Sequence, residues 1–242
     1  MSIWIPVPLL CATLFLLLRA EARTPRDVRQ IEIWKPLTTL LVILVCALSF
    51  TLPADRYDTL YSLLILLGLV FSLAGDVLLI PPDQPKAFLG GLVAFLLAHL
   101  LYIAAFVHLQ TSFLKSTSLA GEIVAALALV LLAAAVYSYL RPGLGRMRLP
   151  VIAYMVVISV MVHRALAILW VHPGPMTQAT LIAAGAILFY LSDAILAVNK
   201  FRFGGELRHY KLLNLSTYYA GQLLLALSAS FFGIIAIVLV RH

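Results

Sequence analysis

The sequence predicts an all-α fold, a polytopic membrane helix bundle with about eight transmembrane helices. Three observations predict it. Of the 242 residues, 63% are hydrophobic and only 11% are charged, whereas a soluble domain is about a quarter charged. The mean hydropathy is +1.06. Apolar runs long enough to cross a bilayer recur along the whole chain, without the alternating pattern of a membrane strand. This composition leaves too little polar surface for a soluble enzyme, and it excludes a disordered chain and a nucleic-acid-binding module. The two cysteines, Cys11 and Cys46, lie in apolar runs and imply no disulfide framework.

Eight runs are expected to span: Ile3–Leu18, Pro36–Leu52, Leu60–Ile80, Ala87–Leu109, Leu119–Leu140, Leu149–Val171, Thr177–Val198 and Ser216–Val240. Together they leave no room for a soluble domain, so residues 1–242 read as a single integral membrane domain. The first run is short and carries Pro6 and Pro8. Ala20-Glu21-Ala22 after it resembles a signal-peptidase site, but no basic residue precedes the apolar stretch, so it reads as a helix. Pro81-Pro82, Pro142-Gly143 and Pro173-Gly174-Pro175 punctuate the ends of later spans.

The net charge of +7 is a topology signal. Arg19, Arg23, Arg26, Arg29 and Lys35 fall in the first loop and Lys86 in the third. Arg141, Arg146 and Arg148 fall in the fifth, and Lys200, Arg202, Arg208 and Lys211 in the seventh. The other side holds only Arg56, Lys115 and Arg241. Basic residues collect in cytoplasmic loops, so odd loops are expected inside and both termini on the non-cytoplasmic side.

Acids are scarce, and their positions separate them. Glu21, Asp27, Glu32, Asp55, Asp58, Asp83 and Glu206 lie in loops or at helix ends. Glu122 sits at the start of the fifth span, where an acid suits a helix N-terminus. Asp76 and Asp193 are embedded in apolar sequence. An Asp at the centre of a spanning helix costs roughly 2.5–3.5 kcal/mol on insertion, so an intramembrane acid is a functional candidate. The bland alternative is that each bonds an interhelical partner as packing glue. The two acids fall on the third and seventh spans at similar depth near the cytoplasmic end. They can face one another if those helices are neighbours.

Other polar groups share that depth. Tyr218 and Gln222 are spaced i,i+4 on one face of the eighth span, next to Tyr219. Lys35, Asn199 and Lys200 lie at inner helix ends, where the cations either meet a lipid phosphate or snorkel. His99 and Tyr102, spaced i,i+3 on the fourth span, and Arg164 in the sixth are second-tier pocket candidates. No His-x-x-x-His, His-Glu-x-x-His, Gly-x-Ser-x-Gly or Gly-rich phosphate loop occurs, so no metal or other cofactor is expected.

Four ordered segments resemble the YhhN family of multispanning membrane proteins, which includes the animal lysoplasmalogenases. They are Phe71-Ser72-Leu73-Ala74-Gly75-Asp76, Ala98-His99-Leu100-Leu101-Tyr102, Leu191-Ser192-Asp193 with Asn199-Lys200-Phe201, and Ser216-Thr217-Tyr218-Tyr219-Ala220-Gly221-Gln222. The resemblance implies an eight-helix bundle in the bacterial inner membrane or the endoplasmic reticulum. It also implies hydrolysis of the vinyl ether of a lysoplasmalogen or related lysolipid to a fatty aldehyde and a glycerophospho-base. Asp76 and Asp193 match its expected catalytic pair. Lys35, His99, Tyr102, Arg164, Asn199, Lys200, Tyr218, Tyr219 and Gln222 are the candidate substrate-binding set, with membrane lipids as the surroundings. The chemistry needs an acid to protonate a carbon and a negative group to stabilise an oxocarbenium ion, as paired carboxylates do in glycosidases. Which aspartate is the acid stays open at this level. The alternative function is a proton-coupled transporter of a small molecule or lipid, with the same aspartates as relay.

Overall fold

The computed structural model describes residues 4–23, 27–53, 58–81, 84–112, 119–171, 176–205 and 209–231. Eight α-helices occur among them and no strand. They are α1 (Pro6–Glu21), α2 (Val28–Ala47), α3 (Thr59–Leu78), α4 (Pro85–Ser112), α5 (Leu119–Leu140), α6 (Arg148–Val171), α7 (Met176–Arg202) and α8 (Tyr210–Ser228). Six segments are long and apolar enough to cross a membrane: Val28–Thr51, Thr59–Leu78, Pro85–Thr111, Leu119–Gly143, Gly145–Trp170 and Met176–Arg202. The 16 residues of α1 are few for a span of roughly 20. α8 is diluted by Asn214, Ser216, Thr217 and Gln222. Pro82, Pro173-Gly174-Pro175, the acids Asp55, Asp83 and Glu206, and the end of the eighth predicted span lie outside the described residues.

Three boundaries differ from the sequence expectation. α2 begins eight residues before Pro36, because Asp27 caps it by accepting from the Gln30 amide at 3.3 Å and pairs with Arg23 at 2.7 Å. Pro36 lies inside the helix, directly after Lys35 and three residues before Thr39. α7 continues past Val198 to Arg202, where the Asn199 carbonyl accepts from the amides of Phe203 and Gly205. Gly204 has φ +59°, the left-handed stop that favours glycine, and Gly205 follows at φ +96°. Asp193 therefore lies well inside α7, while Asp76 lies in the last turn of α3. α8 starts at Tyr210, six residues before the expected Ser216. There Asn214 donates to the Ser192 carbonyl at 2.8 Å, fastening α8 beside Asp193.

Glycines set the closest helix contacts. A Cβ on Gly185 would lie 3.0 Å from the Gly221 carbonyl, and one on Gly221 would lie 2.9 Å from the Gly185 carbonyl. The backbones of α7 and α8 therefore touch, as small residues allow in membranes. On α3, Gly68 and Gly75 lie seven residues apart on one face. Tyr102 fills the space beside Gly68, and a Cβ on Gly75 would meet the Phe95 ring at 2.6 Å, so α4 packs close to Asp76. α5 is the outlier, with only Ala125 and Leu140 buried. It packs mainly on α6 and leaves most of its surface open.

The α7–α8 contact gives a test. Gly221→Val forces the helices apart, and overpacking of this kind costs about 1–3 kcal/mol or more. We expect a lowered Tm in detergent by intrinsic fluorescence, with Gly90→Ala, where the nearest atom to an added Cβ is a flexible Leu78 methyl at 3.4 Å, close to neutral.

Candidate active site

Asp76 is 2% exposed and sits among donors from two helices, α2 and α8. Lys35 of α2 approaches one carboxylate oxygen at 3.3 Å and donates to the Asp76 backbone carbonyl at 3.0 Å. That second bond satisfies a carbonyl in the last turn of α3, where a cation also suits the helix C-terminus. The Thr39 hydroxyl, one turn beyond Lys35, donates to Asp76 Oδ2 at 2.6 Å. The Tyr218 hydroxyl of α8 donates to the same oxygen at 2.7 Å. Gln222 donates to that Tyr218 oxygen at 2.7 Å. Tyr219 donates to the Lys35 carbonyl at 3.0 Å, tying α8 to α2. An ammonium and two hydroxyls on one buried carboxylate form a donor set suited to an anion.

Asp193 has a different setting. Tyr154 of α6 donates its hydroxyl to Asp193 Oδ2. The carboxyl is partly buried and lines a cavity of about 70 Å³ with Phe88, Phe95, Tyr154, Met155 and Phe201. The wall is almost wholly apolar. Lys200 is exposed and stands over the Phe88 ring, which lines this cavity, at 5.4 Å, and Phe88 meets Phe201 edge-on at 6.0 Å.

The two acids do not come from neighbouring helices side by side. α3 packs chiefly on α4 and α7 on α8, so the acids are linked through α4 and α8. Rings occupy that link. Tyr218, bonded to Asp76, meets Phe95 at 5.9 Å and Phe189 at 5.3 Å, and Phe95 lines the Asp193 cavity.

The sequence candidates divide accordingly. Asp76, Lys35, Tyr218, Tyr219 and Gln222 form one network. Lys35 is 8% exposed and ion-paired, so it is part of the Asp76 setting rather than a cation at the mouth. His99 is fully buried against Tyr154 at 5.2 Å, Phe189 at 4.8 Å and Tyr102 at 6.4 Å. Neither of its ring nitrogens has a hydrogen-bond partner among the described residues. The Tyr102 hydroxyl lies 3.4 Å from Ser72 Oγ. Asn199 is buried near the end of α7, and Lys200 reaches the cavity only through the Phe88 ring that it stands over.

Arg164 lies elsewhere. It is ten residues along α6 from Tyr154, roughly 15 Å. There it meets Glu122 at 3.4 Å, Gln110 at 3.4 Å and His163 at 2.9 Å. The partner that its depth demands is Glu122, which therefore does more than cap α5. Two residues of the site escaped the sequence reading. Thr39 carried a usable signal, its i,i+4 spacing from Lys35. Tyr154 carried none, being a lone tyrosine in an apolar run 39 residues from its partner.

With this geometry in place, comparison with known proteins decides the family. The YhhN family model matches residues 30–229. This chain belongs to the YhhN family. A lysoplasmalogenase of Bos taurus, TMEM86A, is 37% identical over 172 residues, covering 68% of this chain and 64% of the relative. Human lysoplasmalogenase TMEM86B is 39% identical over 171 residues, with 70% and 64% covered. A lysoplasmalogenase of Mycobacterium tuberculosis is 36% identical over 141 residues, with 57% and 50% covered. The matched stretch thus spans less than two thirds of each of these relatives. No solved structure gives a significant match. The Asp76 network and the Asp193 cavity both fall within the stretch that matches the YhhN family, and the chain is a multi-pass integral membrane protein.

The buried ion pair of this YhhN protein is testable by stability. Lys35→Met leaves Asp76 buried without its cation, and breaking one side of such a pair costs roughly 3–5 kcal/mol. The double variant Lys35→Met/Asp76→Asn removes both charges and is expected to regain most of the lost Tm. A double variant no more stable than Lys35→Met alone contradicts the pairing.

Proposed function

We propose that this chain is a membrane-embedded hydrolase that cleaves the vinyl ether bond of a lysoplasmalogen or closely related lysolipid. The observation that carries this reading is the pair of intramembrane carboxylates in unlike settings, one among donors and one against an apolar cavity. The curated names of the relatives point to the same substrate class.

The division of labour follows from the settings. Asp193 has a single phenol partner and an apolar wall, where a neutral carboxylic acid costs far less than an anion. It delivers its proton to the β-carbon of the vinyl ether. The electron pair of the double bond forms the new C–H bond, leaving an oxocarbenium ion across the α-carbon and the ether oxygen. Asp76, held by Lys35, Thr39 and Tyr218, is the fixed negative group that offsets this positive charge. Water adds to the α-carbon and returns a proton to Asp193. The hemiacetal then collapses to a fatty aldehyde and a glycerophospho-base, so one water is consumed and the acid is regenerated. Tyr154 orients the acid, and Lys200 over the Phe88 ring suits the lipid phosphate. His99 and Tyr102 wall the site behind Tyr154.

In this reading residues 1–242 form one membrane unit of eight spans. The odd loops face the cytoplasm and both termini face the other side, as the positive-inside distribution indicates. A lysolipid in the inner leaflet would then meet Lys200 with its head group and the cavity with the start of its chain.

The test is direct. Purified protein is given a lysoplasmalogen and, separately, an ester lysophospholipid. Aldehyde from the first and no fatty acid from the second is expected. Fatty acid from the second redirects the reading to a lysophospholipase, and proton-coupled flux in proteoliposomes without turnover redirects it to a transporter. Asp193→Asn should keep its Tm, because the Tyr154 hydroxyl can donate to the amide oxygen, yet lose at least about 100-fold in kcat, the lower range for a general acid. Lys35→Met/Asp76→Asn should fold and be similarly inactive. Full activity in either variant defeats the mechanism.

A further inference from the structure

A second cavity, of about 580 Å³, runs between α5 and α6. That volume lies in the range of about 300–1,000 Å³ typical of small-molecule sites. Ala126, Leu129, Val130, Ala133 and Ala134 line it from α5, and residues from Ile152 to His163 line it from α6. The alanines keep the α5 side shallow. From Ile152 to His163 the groove extends roughly 16 Å along the helix, and its open flank faces the lipid side left bare by α5.

Its two ends differ. At the inner end Met155 lines both this groove and the Asp193 cavity, so the two spaces meet at one flexible side chain. At the outer end stands His163, whose ring is held by the Glu122 carbonyl at 3.1 Å and by Arg164 at 2.9 Å. Arg164 is itself fixed by Glu122 and Gln110. A hydrocarbon chain entering at Met155 would run along a wall that is apolar apart from Tyr137 and the Ser159 hydroxyl until it met this polar cluster. Advancing further would desolvate an ion pair, so the cluster is an energetic stop.

We propose that the α5–α6 groove holds the hydrocarbon chain of the substrate lysolipid, with Met155 as its passage to the Asp193 cavity and the His163–Arg164–Glu122 cluster as the ruler that limits chain length. The assignment rests on the hydrolase reading for what happens at Asp193, but occupancy of the groove by a single lipid chain does not. The orientation is consistent along the molecule. Lys200 lies at the inner edge for the phosphate, Asp193 and Tyr154 lie where the chain begins, and the groove continues from there toward the outer end of α6.

Two measurements test it separately. In the first, a lysophosphatidylcholine with an ester-linked chain bearing a terminal diazirine is photolysed with the purified protein in nanodiscs. Crosslinks are expected on the groove faces of α5 and α6, suppressed by excess unlabelled lysophosphatidylcholine and lost in Ala133→Trp, which fills the groove. Crosslinks spread over all lipid-facing helices and insensitive to competitor would mean bulk-lipid contact only and overturn the groove. In the second, vinyl ether lysolipids of increasing chain length are turned over. Ala133→Trp should lower kcat/KM for the long-chain members by about tenfold or more, the scale of a misfitted apolar pocket, and leave a chain too short to reach residue 133 unchanged. His163→Ala should move the optimum to longer chains. An equal loss across all lengths in Ala133→Trp, with no shift in His163→Ala, would overturn the ruler. Confined, competable crosslinks without aldehyde from any vinyl ether would uphold the groove while refuting the hydrolase reading.

Discussion

The contact on which the rest of the structure depends is the buried ion pair between Lys35 and Asp76. It joins α2 to α3, and the hydroxyls of Thr39, Tyr218 and Tyr219 extend it to α8. In hydrocarbon there is no water to satisfy these groups, so each must find its partner within the bundle. A pair of this kind gives little net stability compared with apolar residues of the same shape, but losing one member is costly. It therefore acts as a constraint. The register of three helices is fixed by where one ammonium and one carboxylate meet.

That constraint explains why two aspartates can differ in task. Asp76 uses its oxygens on the helices around it. Asp193 spends one on Tyr154 and faces a cavity with almost no polar wall. The aromatic side chains Phe95, Phe189 and Tyr218 fill the space that links them, and glycines on α3, α7 and α8 let the backbones approach closely enough for that filling to be dense. Gly75 is the clearest case, since the residue before Asp76 must lack a side chain for Phe95 of α4 to reach both sides of the site.

Much of this was legible in the sequence, and the limits have physical causes. Hydropathy located the eight α-helices among the described residues, six of which are long and apolar enough to cross a membrane. Ends were read less well where capping decided them. Asp27 starts α2 ahead of Pro36, and Gly204-Gly205 carry the stop of α7 beyond Val198. Asp76 and Asp193 stood out because charge is scarce in apolar runs. Their partners did not. Lys35 looked like an interfacial cation because its pairing with Asp76 spans 41 positions, and Tyr154 looked like any aromatic in a membrane helix. Arg164 was rightly expected to need a partner, but only the packing of α4, α5 and α6 identifies Glu122 and places the cluster far from the acids.

The central claim is that a proton held at Asp193 is delivered to carbon. It is tested most directly by running the reaction in deuterium oxide, trapping the aldehyde at once and reading its mass and label position. The account predicts one deuterium at the carbon next to the aldehyde carbonyl, the former β-carbon of the vinyl ether, with none incorporated by Asp193→Asn. Aldehyde released without deuterium at that carbon would contradict it.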